Sequence, residues 1–416
     1  MKIDRQLVNN FLSLAVLQIG NYLIPLVQTP YLVRVLGAAS FGRVGFSMAA
    51  AQYIVALAEY GFGLIGTRKV ALLRIEGDRA LAAYFWNVTW TKTFLACIAA
   101  LILVICIVVF PRLQTYTITI VPFFFWAFGM AIYPEWFFQG IEKMGVVTII
   151  NLTAKLSVLP LTVLFIHTPA DALLYAVLFS GIYFFAGMFG IVIAAREVRY
   201  FYGPDLRQIW EALQSGFSLF FAMVGYNIYA NTNALVVGLV VGDVGVGLFL
   251  GAEKFLRAAL QIFGPIHSAV FPRLSASAGS ASARSGAVIA IKTLLKWEMS
   301  AAVVISALMI LLSKYIILLF LGKNFTGSVV ILQLMSPVFF FTALSSILGT
   351  LTLIPFGELR AFSRIVIAAA VIHMATLAIF VPLLGAEGAA ISMTTSEAIV
   401  GLLMLVVVLK KKILKL

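Results

Sequence analysis

Four basic side chains interrupt long apolar runs of the sequence, where a charge is costly to bury. Lys155 lies deep in one run, Lys254 and Arg257 are central in a second, and Lys92 lies nearer the end of a third. Inserting each into a bilayer costs about 2.5–3.5 kcal/mol, so such residues are kept for a reason. Ammonium and guanidinium groups bind phosphate strongly, and these four are candidate ligands for an anionic substrate.

A purely structural explanation of the same cations also fits the spacing. Glu253 precedes Arg257 by four residues, a favourable ion pair on a helix that could neutralise the arginine. That pairing would leave Lys254 and Lys155 without compensation. Lys92 could instead extend its ammonium towards the cytoplasmic interface.

Acidic residues in apolar surroundings suggest a second kind of chemistry. Glu59 in "ALAEYGFG" and Glu397 in "TTSEAIVG" could bind a coupling proton or sodium ion, or could serve as counter-ions to buried cations. Glu253 belongs to the same set of coupling or gate candidates. The two explanations carry equal weight on the sequence alone.

The stretch "YPEWFFQGIEKMG" contains the most unusual acid, Glu135, which stands between Pro134 and Trp136. If the stretch is one helix, Glu135 and Glu142 share a face because they are seven residues apart. We expect Pro134 to loosen the backbone there. The interpretation is that Glu135 forms an inner gate by pairing with a basic residue of the loop at 68–79.

Amide side chains recur at helical spacing within the apolar runs. Gln18 and Asn21 share one helix face, and Asn227 and Asn231 share another. Polar stripes face the interior of a membrane bundle, where amides could bind sugar hydroxyls. They could equally join helices, at about 0.6 kcal/mol each.

Motifs for enzyme chemistry are missing from the sequence. It contains no Walker loop, nucleotide fingerprint or nucleophile elbow. None of the three histidines has a Cys, Asp or Glu neighbour at metal-ligand spacing, so we expect no metal site. A membrane polymerase or glycosyltransferase would be expected to show a large extramembrane loop or clustered acids. We therefore predict a protein that is not an enzyme and has no cofactor.

Composition defines the elements that must position these residues. Hydrophobic residues make up 62% of the 416 and charged residues only 11%, far fewer than the roughly 25% of a soluble domain. The apolar runs are long enough for helices that cross a bilayer. We predict an all-α polytopic membrane protein with twelve spans at 7–29, 42–64, 84–109, 116–138, 146–166, 172–195, 212–239, 245–271, 291–320, 328–354, 361–382 and 387–409.

The net charge of +13 indicates topology rather than nucleic-acid binding. Most of the Lys and Arg residues fall in the two tails and in loops on one predicted side, such as "REVRYFYGPDLRQIW". By the positive-inside rule, that side and both termini are cytoplasmic.

Weak internal similarity predicts a duplicated architecture. "IGNYLIPL" resembles "VGYNIYAN", "LGAASFGRVGF" at Leu36 resembles "VGDVGVGLF" at Val241, and "FQGIEKM" resembles "PFGELRA". Three matches in the same order favour two six-helix lobes of one orientation around a central cavity. The predicted divisions are an N-terminal lobe at 1–200, a cytoplasmic linker at 201–211 and a C-terminal lobe at 212–416.

Collinear blocks along nearly the whole chain resemble the polysaccharide transporter (Wzx-type flippase) family. That family belongs to the multidrug/oligosaccharidyl-lipid/polysaccharide exporter superfamily, whose multidrug branch (the MATE exporters) shares this two-lobe layout. The most specific block is "PEWFFQGIEKMG". The others are "PLVQTPYLVRVLGAASFG", "EYGFGLIGTRKVAL", "SGFSLFFAMVGYNIYANTNALVVG" and "FPRLSA".

The resemblance implies a bacterial inner-membrane flippase for undecaprenyl-diphosphate-linked oligosaccharide, an O-antigen or exopolysaccharide repeat unit. It also implies alternating access, coupling to protons or sodium ions, and a polysaccharide polymerase and chain-length regulator as partners. Lipid-flippase relatives place cavity cations on spans 1 and 8. Lys254 and Arg257 match span 8, whereas span 1 offers only Arg34 near its outer end.

A cation-coupled exporter of small molecules is the main alternative, since MATE-type exporters have the same fold. Exporters of organic cations favour acidic cavities. The excess of Lys and Arg near the predicted midplane argues against that class.

Overall fold

The computed structural model describes residues 5–278 and 284–414, and this part of the chain contains helices and short connections but no strand. The first eight helices are α1 (Arg5–Glu59), α2 (Phe62–Glu76), α3 (Asp78–Val109), α4 (Pro111–Gln114), α5 (Thr117–Ile132), α6 (Glu135–Gly140), α7 (Met144–Phe165) and α8 (Ala172–Val198). The remaining helices are α9 (Leu206–Val240), α10 (Asp243–Leu260), α11 (Gly264–Ala278), α12 (Arg284–Phe320), α13 (Ser328–Ser345), α14 (Leu359–Leu384) and α15 (Ala386–Lys410). A π-helical segment, Ser346–Leu353, extends α13.

Nine helices among the described residues are long and apolar enough to cross a membrane. The first candidate runs over Val16–Glu76, which contains the predicted span at 42–64 and the latter part of the one at 7–29. The predicted spans at 212–239 and 245–271 are not among the nine. The multi-pass helical class is therefore confirmed, while the count of twelve and the cytoplasmic termini stay predictions.

Two compact units divide the chain at Asn227 and Ile228. Unit 1 is Met1–Asn227 and unit 2 is Ile228–Leu416. The division falls within α9, so the segment predicted as a linker, 201–211, belongs to unit 1.

Glycine allows the sharp bend inside α1. Gly37 has φ 69° and ψ 174°, in a region that residues with a Cβ avoid. The predicted repeat aligns Gly37 with Gly242. Gly242 is the N-cap of α10 and has φ 98° and ψ −173°. The two matched sequence blocks therefore form turns of the same backbone type. This agreement supports the predicted repeat.

Aromatic side chains fill the core of unit 1 around α2, α3 and α6. Phe85 stacks on Trp136 with ring centroids 5.9 Å apart, and Phe137 meets Phe85 edge-on at 4.9 Å. All three rings are buried. Close helix approach completes the packing, because a Cβ on Gly66 would lie 2.8 Å from the Trp136 ring. The core thereby fixes the short helix α6.

The backbone breaks where the sequence predicted one helix through "YPEWFFQGIEKMG". α5 ends at Ile132, Tyr133 is extended, and α6 starts again at Glu135. Pro134 lacks the N–H that an uninterrupted helix would need. Glu142 then has φ 60°. The expectation that Glu135 and Glu142 share one helix face is therefore wrong, since α6 ends at Gly140 and Glu142 lies in the turn that follows.

Tight backbone contact joins α5 to α8. A Cβ on Gly187 would lie 2.1 Å from the carbonyl oxygen of Gly129, and a Cβ on Gly129 would lie 2.6 Å from Cα of Phe184. No side chain can move aside there, because the contacted atoms are backbone. Two glycines thus set the distance between these helices.

Gly187→Val is expected to destabilise the protein by at least about 2 kcal/mol, since the helices must separate to admit the side chain. Thermal unfolding of the detergent-purified protein measures the effect. Gly181→Val is the matched control, because it lies on the same helix with no atom within 4 Å of its ideal Cβ. Equal unfolding temperatures for the two variants would contradict the packing argument.

Tryptophans hold the connection between α8 and α9 against α3. The indole N–H of Trp86 donates to the carbonyl of Tyr200 at 2.8 Å, and that of Trp90 donates to the carbonyl of Tyr202 at 3.0 Å. We call residues 199–205 the strap. The sequence indicated only that this region is basic. In the structure, hydrogen bonds from α3 hold it in place.

Candidate functional site

A cavity of about 440 Å³ in unit 1 contains several of the predicted residues. Its walls come from α1, α2, α3, α5, α6 and the break before α6. Glu59, Lys92, Tyr133, Glu135 and Gln139 supply polar groups, and aromatic and aliphatic side chains line the remainder. The break at Pro134 thus places an acid beside the ion-pairing residues of two other helices.

Glu59 and Lys92 form an ion pair at the cavity wall. Lys92 Nζ lies 2.8 Å from Glu59 Oε2. The lysine side chain is only 3% exposed, whereas that of the glutamate is 41% exposed. Lys92 therefore does not extend to the interface, as the alternative interpretation proposed, because a carboxylate on α1 compensates it internally. Glu59 here is a counter-ion in contact with the cavity.

Glu135 takes part in the same electrostatic cluster. Gln139 donates through Nε2 to Glu135 Oε1 at 3.2 Å, one helical turn away. The carboxylate also interacts electrostatically with Glu59, Lys92 and Lys155. Glu135 thus has one amide donor and two nearby cations. An acid in such surroundings can gain or lose its charge while the structure around it stays folded.

Lys155 extends the cluster from α7 towards α1. Its ammonium donates to Oδ1 of Asn21. Asn151, one turn earlier on α7, donates to the hydroxyl of Tyr133 at 3.1 Å. Two predicted substrate ligands, Lys155 and Asn21, are therefore brought together. With Glu59, Lys92 and Glu135, the cluster holds two acids and two bases, whose formal charges sum to zero.

The basic segment at 68–79 contacts a different acid from the one predicted. Arg74 Nη1 lies 3.7 Å from Glu142 Oε2, and both side chains are at least half exposed. Most of this segment is helix α2 rather than a loop. In this structure Glu135 is instead bonded to Gln139, so its pairing with the segment stays a prediction.

Lys92→Met is expected to destabilise the protein by about 2 kcal/mol, because Glu59 would lose its buried counter-ion while remaining partly hydrated. Adding Glu59→Gln should recover part of that loss. Lys143→Met is the matched control, since its pair with Glu197 is 47% and 38% exposed and should contribute under about 1 kcal/mol. Thermal unfolding of these three variants and the unaltered protein decides the case, and equal losses from Lys92→Met and Lys143→Met would refute the internal pairing.

Unit 2 positions the cations predicted on span 8, which lie on α10. Arg257 Nη2 lies 2.7 Å from Glu253 Oε1, and the Glu253 side chain is 7% exposed. The ion pair that the four-residue spacing of Glu253 and Arg257 predicted is therefore present. Lys254 is exposed and makes neither a hydrogen bond nor an ion pair within the described residues. Its ammonium is the one on α10 that remains available to an anion.

The other predicted positions have varied surroundings. Glu397 lies on α15 with its Oε2 3.5 Å from the Ser345 hydroxyl. Asn231 is partly buried and makes contacts, and Gln18 is exposed and does the same. The Asn227 side chain lies outside the described side chains. The roles assigned to these four residues stay predictions.

A buried acid in unit 2 escaped the sequence analysis. Glu298 on α12 has a fully buried side chain, and its two carboxylate oxygens lie 2.9 and 3.1 Å from Nε2 of His267 on α11. The partner is 31 residues away. The sequence feature that could have identified Glu298 was its position inside the predicted membrane span 291–320. Within the described residues, no three His, Cys, Asp or Glu side chains come together to hold a metal ion.

Comparison with known proteins gives consistent matches over nearly the whole chain. The family model described as "Polysaccharide biosynthesis protein" matches residues 7–278. The protein called "Putative O-antigen transporter" from Escherichia coli (strain K12) is 30% identical over 97% of both chains. The protein of the same name from Shigella dysenteriae is 30% identical over 95% of this chain and 98% of its own.

Solved structures share the fold at lower identity. An inward-facing multidrug resistance MATE family transporter of the MOP superfamily superposes with a TM-score of 0.64 at 15% identity, covering 97% of this chain and 99% of the other. The lipid II flippase MurJ in an inward closed conformation gives a TM-score of 0.53 at 17% identity, covering 95% and 81%. These two similarities establish the fold alone.

Proposed function

The chain belongs to the polysaccharide biosynthesis protein family, and on that premise we propose that it is a flippase for lipid-linked oligosaccharide. The substrate is an undecaprenyl-diphosphate-linked repeat unit of O-antigen or exopolysaccharide. The protein moves it from the cytoplasmic to the periplasmic leaflet of a bacterial inner membrane by ion-coupled alternating access. It acts as a transporter rather than an enzyme.

The observation that carries this proposal is the 30% identity across 97% of the chain to a protein named as an O-antigen transporter. The geometry adds chemical support. Lys254 offers an exposed ammonium without an ion pair among the described residues, and a diphosphate is a strong acceptor for such a group. Amide and tyrosine groups near the unit 1 cavity suit sugar hydroxyls.

Ion coupling is proposed for the acids of unit 1. Glu135 lies at a cavity, and lysines on two other helices, Lys92 on α3 and Lys155 on α7, compensate its charge rather than a single fixed partner. A proton or a sodium ion could replace one of those cations during the cycle. Glu59, Glu253 and Glu397 have clearer local partners. We therefore place the coupling acid at Glu135.

Deleting the gene and extracting lipids tests the flippase function. We expect diphosphate-linked oligosaccharide to accumulate on the inner leaflet, and complementation to remove it. Normal lipid-linked sugar levels and normal glycan export would exclude the proposal. Increased sensitivity to small toxic compounds in such a strain would instead favour an exporter of small molecules.

A further inference from the structure

A small polar cavity lies between α3 and the strap, apart from the cavity described above. Its volume is about 170 Å³. Its lining comes from Ala83 and Asn87 on α3, from Tyr202, Gly203 and Asp205, and from Gln208 on α9. All of these residues belong to unit 1. None of them has a role in the proposed transport reaction.

Asn87 leaves an acceptor unused at this cavity. Its amide Nδ2 donates to the carbonyl of Gln208 at 3.1 Å. Its Oδ1 is buried and has no hydrogen-bond partner in the described part of the chain. An acceptor that is buried without a partner destabilises the folded state, because it has lost its hydrogen bonds to water. The oxygen is therefore suited to a donor that the protein itself does not provide.

Asp205 adds a negative charge to the same lining. Its carboxylate accepts the backbone N–H of Arg207 at 2.9 Å and Nε2 of Gln208 at 3.0 Å. A carboxylate has about four lone-pair sites, so it can accept further bonds. The guanidinium of Arg207 is directed to Glu211, at 3.2 Å. No basic side chain lines the cavity.

Contacts within the chain hold the cavity walls in place. Trp86 and Trp90 bond the strap through two of its carbonyls. The ring of Phe201 meets that of Trp86 edge-on at 4.6 Å. A rigid, acceptor-rich lining with a net negative charge favours a small cation that donates hydrogen bonds.

The surroundings of the cavity match the headgroup layer of a membrane. Phe201 is 68% exposed and Tyr200 is 43% exposed. Aromatic rings of this kind concentrate at the interface between the bilayer and water. The guanidinium of Arg79 lies 5.7 Å from the centre of the Tyr200 ring, so a cation stands beside the strap. A lipid phosphate and a lipid ammonium would both find a counter-charge here.

We propose that this cavity binds the primary ammonium of a phospholipid of the ethanolamine class. Asn87 Oδ1 and the Asp205 carboxylate accept its hydrogen bonds, and Arg79 attracts the adjoining phosphate. A choline headgroup has no N–H to donate and carries three additional methyl groups. The site therefore distinguishes ethanolamine from choline lipids, and it does so whether or not the flippase function is correct.

Binding to bilayers of defined composition tests the proposal. The purified full-length protein is placed in nanodiscs of phosphatidylcholine with increasing phosphatidylethanolamine, and retained lipids are measured by native mass spectrometry. We expect a preference for the ethanolamine lipid of about tenfold, as for two charge-assisted hydrogen bonds partly offset by desolvation. Equal retention of the two lipids would overturn the proposal.

The variant Asp205→Asn tests whether the ethanolamine lipid binds at this cavity. Asparagine preserves the shape and the hydrogen bond that starts α9, and removes the negative charge. The preference should fall by about tenfold. Glu211→Gln is the matched control, since it removes the same charge from a nearby residue of α9 that does not line the cavity, and should retain the preference. Asn87→Ala is a second variant, and we expect it to lose the same preference for the ethanolamine lipid. If Asp205→Asn and Asn87→Ala both keep the preference, the lipid does not bind at this cavity.

Free ethanolamine distinguishes a lipid from a soluble amine. If the ligand is a lipid, millimolar ethanolamine should displace little of it, because the phosphate and acyl chains add contacts that the free amine lacks. If free ethanolamine displaces the bound lipid when the two compounds are at equal concentrations, the lipid assignment is overturned.

Discussion

Lys254→Ala is expected to lower translocation of lipid-linked oligosaccharide by about 10- to 100-fold, the effect of losing one or two charge-assisted hydrogen bonds to a diphosphate. The fold should be preserved, because this side chain is exposed and has no ion pair among the described residues. Flipping of a fluorescent lipid-linked oligosaccharide in proteoliposomes measures the rate. Thermal unfolding of the same preparation checks the fold.

Two further variants show whether charge at this position is what matters. Lys254→Arg keeps the charge and should retain most of the activity. Lys296→Ala removes an exposed lysine from α12 of the same unit and should have little effect. Full activity in Lys254→Ala would mean that the diphosphate is bound elsewhere.

Glu135→Gln is expected to remove the dependence of transport on an ion gradient and to reduce the rate about tenfold. The cluster of Glu59, Lys92, Glu135 and Lys155 is electrically balanced, and a glutamine leaves one positive charge without compensation. Glutamine also cannot alternate between charged and neutral forms as a coupling acid must. Transport into proteoliposomes with imposed proton or sodium gradients measures the change.

Glu142→Gln provides the comparison within the same sequence block. Glu142 is 62% exposed and 3.7 Å from Arg74, so its neutralisation should alter stability by less than about 1 kcal/mol and leave coupling intact. If Glu135→Gln behaves like Glu142→Gln, Glu135 is an acid that contributes only to packing.

Helix placement could be predicted well because it depends on local properties of the sequence. Uninterrupted apolar runs must form helices in a bilayer, and the predicted spans at 146–166 and 387–409 match α7 and α15 within a few residues. The bend at Gly37 lies between two predicted spans. The predicted relation of Glu135 to Glu142 failed because helical spacing was applied across the end of α6 at Gly140, which no proline marks.

Pairing between distant residues could not be predicted from spacing. Glu253 and Arg257 are four apart and were identified correctly as a possible pair. Lys92 and Glu59 lie on different helices, as do His267 and Glu298. Nothing in the local sequence specifies which helices meet. For this reason the ion pair of Lys92 was not among the alternatives considered for it, and Glu298 was not singled out at all.

The tryptophan-fastened strap has a practical consequence for protein engineering. It is an exposed connection between two helices and contains glycine and proline, and such connections are usual choices for inserting reporter domains. Tolerance of an insertion depends on backbone hydrogen bonding rather than on position in the sequence. The carbonyls of Tyr200 and Tyr202 are both occupied by indole donors. A fluorescent protein spliced between these residues would have to break those bonds, so this connection is a poor insertion site despite its exposure.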